Sequence, residues 1–360
     1  MKLTRPLAPG ATVGILGGGQ LGRMLALAAG QLGIKCHIYA PEAGSPAFQV
    51  VPARTIAAYN DFAALEKFAG AVDVVTYEFE NVPAGTAAFL ETRVPLAPGA
   101  QALRTAQDRF DEKTFIASLG IPIAPFAAVD DLPSLKTALA RIGRPAILKT
   151  RRLGYDGKGQ TRISAGMNAA AAWAEIGKAP AILEGLINFD MEISVIAARG
   201  WDGSIAIYDV PENHHANHIL HTSTVPAAVP AETAEKARAI GGQIIAALDY
   251  VGVIGIEMFV GAGQLVVNEI APRVHNSGHW TMDACIVSQF EQHIRAICGW
   301  PLGLPQRHSN VVMTNLLGGD ATDWTSLAAQ PGTAIHFYGK SEARPGRKMG
   351  HINRLTPRQA

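Results

Sequence analysis

Cysteine is scarce in this 360-residue chain. Only Cys36, Cys285 and Cys298 occur, with no Cys-x-x-Cys pair, which excludes a disulfide framework and a zinc knuckle and fits a reducing, cytoplasmic setting. Net charge is equally scarce: 31 Lys and Arg against 30 Asp and Glu leave no bulk field, so neither nucleic acid nor an anionic membrane is expected as a partner. Long hydrophobic runs are missing as well. The apolar stretch within MKLTRPLAPGATVGILGGG is short and broken by glycine, so neither a signal peptide nor a spanning helix is expected. No internal repeat or low-complexity tract is present. What is there is 48% hydrophobic residues, enough to bury a sizeable core in two or three domains.

Residues 11–98 alternate β-like runs with amphipathic stretches: Thr12–Leu16, Leu21–Leu32, Lys35–Tyr39, Asp61–Ala69, Val72–Tyr77. That rhythm implies a parallel α/β sheet. Its first turn, Gly17-Gly18-Gly19-Gln20-Leu21-Gly22, has the Gly-x-Gly-x-x-Gly spacing whose amides can cradle a phosphate at a helix start. No acidic residue sits at the tip of the second strand to take a ribose hydroxyl, since Glu42 comes only after Pro41. A dinucleotide, another phosphate and a purely structural turn all remain open there. Pro95, Pro98 and Gly99 then mark a boundary, and Gln101–Leu119 reads as a helical connector.

A second α/β unit follows Ile121-Pro122. Its strand Ala146–Thr150 leads into RRLGYDGKGQ (151–160), and Thr161–Ile163 returns from it. Glycine lets such a loop fold closely over phosphates, with Lys149, Arg151, Arg152 and Lys158 supplying charge; a solvated hairpin loop is the alternative. Pro180–Glu184 is a further strand ending in a carboxylate.

The densest signal is VIGIEMFVGAGQLVVNEIAPRVHNSGHW, Val253–Trp280. Val253–Val260 and Gln264–Ile270 read as a hairpin closed by Gly261-Ala262-Gly263. With Val260 facing Gln264, Glu257 lies opposite Val267 and Glu269 is its diagonal neighbour on the same face. Two converging carboxylates call for a cation, and hard oxygens select Mg²⁺ or Mn²⁺, completed by water and nucleotide phosphates. Alternatively one Glu faces solvent and the other pairs with Arg273.

Taken in order, Lys149, GYDGKGQ (154–160), ILEGLINFDMEISVI (182–196), Glu257 and NEIAPRVHNSGHW (268–280) resemble the ATP-grasp superfamily. GGGQLGRM (17–24), TYEFENV (76–82), APRVHNSGHWT (271–281) and RPGRKMGHIN (344–353) narrow the resemblance to the carboxyaminoimidazole ribonucleotide synthetases of purine biosynthesis. The similarity runs from Gly14 to about Asn353, with Leu153 standing where that family usually has a second glycine.

The resemblance implies an α/β ATP-grasp fold. Residues 1–98 would form a Rossmann-like domain of the biotin carboxylase N-terminal type, 99–121 a connector, 122–184 a small α+β lid and 185–360 an α+β catalytic domain ending in a substrate-phosphate segment. Arg109 and Lys149 would meet the ATP phosphates, under a lid of Gly154, Tyr155, Asp156, Gly157, Lys158, Gly159 and Gln160. Glu184 and the backbone of Gly185, Leu186 and Ile187 would meet adenine; Glu192 would hold the ribose; His215 and Asn268 would complete the pocket. Glu257 and Glu269 would bind Mg²⁺ or Mn²⁺, and Arg273, His275 and Asn276 would hold bicarbonate and carboxyphosphate. Aminoimidazole ribonucleotide would lie near Glu78, Tyr155 and Asp156, with its phosphate at Gly19, Gln20, Leu21, Lys340, Arg347 and Lys348. Asp156 would meet the substrate amine, and a homodimer is implied.

Other readings compete. An oxidoreductase built on the first glycine turn leaves the hairpin unexplained. A non-catalytic ATP-binding regulator needs no RVHNSGHW segment, and another ATP-grasp ligase of purine metabolism would share most of the motifs. The histidines His214, His215, His218 and His221 read as a solvated loop, with His215 the exception; Trp280 and Trp300 read as packing.

Overall fold

The structure, a computed structural model, describes residues 1–154 and 157–358. Strands Thr12–Leu16, Lys35–Tyr39, Ala53–Thr55 and Val74–Tyr77 form a parallel sheet in which Thr12–Leu16 lies between Lys35–Tyr39 and Val74–Tyr77. Val13, Ile15, Leu16, Val74, Val75 and Tyr77 are buried on both faces, as a helix-covered parallel sheet requires. The expected helix after the glycine turn spans Gln20–Gln31.

The connector is not one helix but two, Ala100–Gln107 and Arg109–Ser118. Asp108 breaks it: its backbone is extended, and its carboxylate caps the second helix by accepting from the Phe110 amide at 3.0 Å. The lid carries an antiparallel sheet in the order Phe126–Val129, Ala181–Gly185, Ala146–Thr150, Gln160–Ile163. Its own core includes Leu135, Leu139, Leu148, Trp173 and Leu183.

The largest sheet has nine strands. Met191–Arg199 sits between Gly252–Gly261 and Glu212–Ala216, and Gly252–Gly261 continues into the edge strand Gln264–Ala271. Alternation divides the labour of Met191–Arg199. Ile193, Val195 and Ala197 join the core that Ile244 and Ile245 of helix Ala231–Ala247 complete, whereas Ile196 and Ala198 pack into the core holding Trp280. Helix Gln289–Ile297 ties this sheet to the first one, because His293 accepts from the Val253 amide (3.0 Å) and lies 2.8 Å from the Thr76 hydroxyl.

The hairpin register differs by one from the expected pairing. Gly261 faces Gln264 across Ala262-Gly263, both at positive φ (48° and 73°), as a tight two-residue turn demands. Met258, not Glu257, therefore lies opposite Val267. Asn268 is then an extra, bulged residue, and Glu257 comes directly opposite Glu269. The histidine segment is likewise a strand pair, Glu212–Ala216 with Ile219–Val225, rather than a loop. Trp280 is fully buried packing; Trp300 packs at the edge of the same core and donates to the Leu7 carbonyl at 2.6 Å.

Candidate active site

The bulge places Glu257 and Glu269 side by side, with Ser194 next in the row. The two carboxylates do not share their surroundings. Burial and the charge of Glu269 push Glu257 up to about 7. Burial also acts on Glu269, yet the Arg109 guanidinium, 2.8 Å from its Oε2, overrides it and brings Glu269 down to about 2. Two carboxylates with one ionic partner form a hard-oxygen donor pair that fits a divalent cation completed by water and phosphate. No set of three metal-ligating side chains occurs among the described residues.

The second connector helix supplies the charge behind this pair. Arg109, Glu112 and Lys113, at i, i+3 and i+4, share one face and meet the edge strand. Glu112 accepts from the Ile270 amide, and Lys113 donates to the carbonyl of the bulged Asn268 at 2.6 Å. Lys113 Nζ is also 3.8 Å from Glu184, whose other oxygen accepts from Lys149 at 2.8 Å. Burial would raise Glu184, but the two lysines hold it below the usual carboxylate range. Burial and Glu269 push Glu112 up to about 8. Glu184 Oε1 is buried and accepts no hydrogen bond, which fits an acceptor awaiting an adenine amino group. The next segment is pinned by its backbone, with the Gly185 and Leu186 amides donating to the Pro125 and Pro145 carbonyls, and Ile187 follows. Glu192 and His215 lie 2.7 Å apart; burial opposes the charged imidazole, but Glu192 raises His215 overall.

The lid loop adjoins these groups. Arg109 donates to the Gly154 carbonyl at 3.2 Å, and Gly157 and Gly159 take positive φ (78° and 71°) ahead of Lys158 and Gln160 in the loop. Arg151 and Arg152 turn back to the connector, onto Asp108 and Gln107 at 2.8 Å each. Tyr155 and Asp156, expected at the substrate, lie outside the described residues.

On the other side of the carboxylates stands the segment after the edge strand. Arg273 forks onto Glu80, with Nε at 2.5 Å and Nη2 at 3.3 Å. His275 Nε2 is 3.4 Å from Glu257, and burial, then Arg273, pulls the imidazole down to about 3, so it is neutral at physiological pH. The segment reaches the sheet because residue 255 is glycine: a Cβ there would come within 2.6 Å of the His275 Cβ. Both polar atoms of the Asn276 amide are buried without a hydrogen-bond partner, as expected of a group that meets a ligand.

The first glycine turn holds an internal carboxylate. Glu78 accepts from the Gly19 and Gly22 amides, and a Cβ at Gly17 or Gly19 would lie 2.3 Å or 2.7 Å from it. Gln20 and Leu21 keep first-turn amides, which have no intrahelical acceptor. Lys340 reaches the same turn, donating to Gln20 Oε1 (2.5 Å) and to the Lys348 carbonyl (2.6 Å). Arg347 lies in the adjoining loop and donates to the Glu342 carbonyl at 2.9 Å. The structure thus groups Glu257, Glu269, Arg109, Lys149, Glu184 and His275 around the hairpin, and Glu78, Gln20 and Lys340 around the turn. Sequence reasoning did not assign Glu80, Glu112 or Lys113. Glu80 stood within the TYEFENV motif, and the i, i+3, i+4 spacing of Arg109, Glu112 and Lys113 was the available signal for the other two.

Three sequence families match consecutive parts of the chain: the ribonucleotide synthetase preATP-grasp domain over residues 10–107, the ATP-grasp domain over 114–290 and the phosphoribosylaminoimidazole carboxylase C-terminal domain over 311–360. The N5-carboxyaminoimidazole ribonucleotide synthase of Brucella melitensis is 53% identical over 98% of both chains. A crystal structure of an N5-carboxyaminoimidazole ribonucleotide synthetase with ADP superposes with a TM-score of 0.94 at 43% identity, covering 98% of this chain and 94% of that one. The Aspergillus clavatus N5-carboxyaminoimidazole synthase, in complex with ADP and 5-aminoimidazole ribonucleotide, gives a TM-score of 0.90 at 31% identity, covering 96% and 94%.

Proposed function

The chain belongs to the N5-carboxyaminoimidazole ribonucleotide synthase family of ATP-grasp ligases, and on that premise we propose how its residues use ATP to carboxylate 5-aminoimidazole ribonucleotide. The product is N5-carboxyaminoimidazole ribonucleotide, an intermediate of purine biosynthesis. A bicarbonate oxygen attacks the γ-phosphorus, ADP leaves, and carboxyphosphate forms. The exocyclic amine of the ribonucleotide then attacks the carboxyphosphate carbon, releasing inorganic phosphate and a proton.

Phosphoryl transfer of this kind is positioning and charge neutralisation. Arg109 and Lys149 orient the phosphates, and Glu184 offers its bare Oε1 to the base. Glu257 and Glu269 would hold a Mg²⁺ or Mn²⁺, which would add to the neutralisation of phosphate charge. Arg273, His275 and Asn276 face bicarbonate, with Glu80 holding the Arg273 fork. The turn amides of Gln20 and Leu21, together with Lys340, Arg347 and Lys348, take the ribonucleotide phosphate, and Glu78, Tyr155 and Asp156 its aminoimidazole. Carboxyphosphate is labile in water, so closure of the 154–160 loop also protects it.

The observation that carries this reading is the meeting, around one carboxylate pair, of the Arg109 guanidinium on one side and of His275, followed by the unpartnered Asn276 amide, on the other. We assign the domains as 1–98, 99–121, 122–184 and 185–360, and the working form as a cytoplasmic homodimer. No helix among the described residues is long and apolar enough to cross a membrane. The test is incorporation of labelled bicarbonate. Label should enter the aminoimidazole nucleotide only when ATP and Mg²⁺ are both present, in equal amount to the ADP formed; ADP without nucleotide labelling would overturn the assignment.

A further inference from the structure

Behind His275 runs a chain of uncharged polar side chains that no step above uses. Ser277 Oγ is 2.8 Å from His275 Nδ1 and 2.6 Å from Ser194 Oγ; Asn213 Nδ2 donates to Ser194 Oγ at 3.0 Å, and Ser223 donates to Asn213 Oδ1 at 2.7 Å. Ser194, Ser223 and Ser277 have no exposed surface and Asn213 has 6%, so water cannot replace a missing link. The chain starts three strands away and ends on the imidazole that faces Glu257.

Its polarity follows from the backbone. The Ser277 amide donates to His275 Nδ1 at 3.4 Å, so that nitrogen carries a lone pair. The Ser277 hydroxyl must then donate to Nδ1 as well, leaving its oxygen to accept from Ser194. Ser194 accepts from the Asn213 amide, and Asn213 Oδ1 accepts from Ser223. Every group gives one proton forward, and the ring proton is left on Nε2, 3.4 Å from Glu257 Oε1. The reversed chain would point an Nδ1 proton at the proton of the Ser277 amide.

We propose that Ser277, Ser194, Asn213 and Ser223 are positioning residues that fix His275 as an Nε2–H tautomer, making it a hydrogen-bond donor to bicarbonate oxygens rather than a base. This rests on the placement of bicarbonate at His275. A donor held in advance costs no reorganisation when charge develops on those oxygens.

The test is nitrogen-15 NMR of histidine-labelled full-length protein together with kinetics. Wild-type His275 should show a protonated Nε2 and an unprotonated Nδ1. Ser277→Ala should give a mixture of tautomers, because it removes the 2.8 Å hydroxyl donor and leaves only the long 3.4 Å bond from the residue 277 amide to hold the Nδ1 lone pair. Asn213→Asp, nearly isosteric, presents an acceptor to both Ser223 and Ser194, so Ser277 must turn to Ser194 and the ring proton should move to Nδ1. Both variants should raise KM for bicarbonate about tenfold, the loss expected for one hydrogen bond at about 1.4 kcal/mol per decade, while KM for ATP stays within twofold. A protonated Nδ1 in wild type overturns the proposal, whether or not either variant folds. So does a tautomer shift that leaves the bicarbonate KM unmoved. Neither result touches the ligase reading, which stands or falls on labelled product.

Discussion

The hairpin carboxylates stand between two walls of buried polarity built in opposite ways. On the connector side the wall is charged: Arg109 pairs with Glu269, and Lys113 and Lys149 share Glu184, with Lys113 and Glu184 almost wholly out of solvent. On the His275 side, beyond the Arg273–Glu80 pair, it is neutral: hydroxyls, one amide and an imidazole pass single hydrogen bonds along a line. A charged wall binds strongly charged groups but fails badly when one member is lost, because an unpaired buried charge remains. A neutral wall loses one modest bond at a time and instead sets direction.

The largest expected effect breaks the charged wall. Glu184→Ala leaves Lys113 and Lys149 without their shared carboxylate and should cost about 3–5 kcal/mol in denaturant unfolding, against about 1 kcal/mol for Ser194→Ala on the neutral side. Equal losses would abolish the distinction. Next comes Glu269→Gln, which removes one charge at nearly constant shape. Turnover measured by ADP release should fall about a hundredfold, roughly 3 kcal/mol, with the fold retained; wild-type turnover at ordinary Mg²⁺ would remove the pair from the metal site.

Asp156→Asn follows, resting on family resemblance. Loss of one charge-assisted hydrogen bond to the substrate amine should cost about 2 kcal/mol, at least tenfold in substrate-stimulated turnover. ATP affinity should hold, since the proposed phosphate contacts are Arg109 and Lys149; parallel loss of both would deny Asp156 that role.

A subtler effect separates the two hairpin carboxylates. Glu257 sits up at about 7, so below that pH the folded protein holds a proton the unfolded chain has released. Its share of the stability of the cation-free protein therefore falls as pH rises from about 4.5 through about 7, and a cation must displace the proton below that. Mn²⁺ titration by calorimetry should show affinity about tenfold weaker at about pH 6 than at about pH 8. Unchanged affinity would place the cation away from Glu257. Smallest is Leu153→Gly: Leu153 is 72% exposed at φ 65°, a conformation costing about 1 kcal/mol for a side chain, so thermal stability should change by less than that either way. A larger loss would mean that the side chain packs in the closed lid.

The charged wall was partly legible in the sequence and the neutral one was not. Carboxylates flanked by Val and Ile, and a glycine-rich loop next to lysine and arginine, are anomalies against an apolar pattern, so Glu257, Glu269 and Lys149 stood out. Ser194, Asn213, Ser223 and Ser277 are ordinary residues in ordinary strands and turns; only the sheet order, with Glu212–Ala216 between Met191–Arg199 and Ile219–Val225, brings them into line. Alternation also could not reveal the bulge at Asn268, because one extra residue shifts the register without changing composition. The glycine turn misled in another way: its spacing suits a phosphate or a close internal carboxylate equally, and Glu78 comes 56 residues after Gly22.

The most direct test of the whole account is ADP release by the full chain with ATP, Mg²⁺ and bicarbonate, with and without 5-aminoimidazole ribonucleotide. The predicted result is Mg²⁺-dependent ADP formation that rises when the ribonucleotide is added. ADP release indifferent to it, or raised by glycinamide ribonucleotide or acetyl coenzyme A instead, would contradict the account.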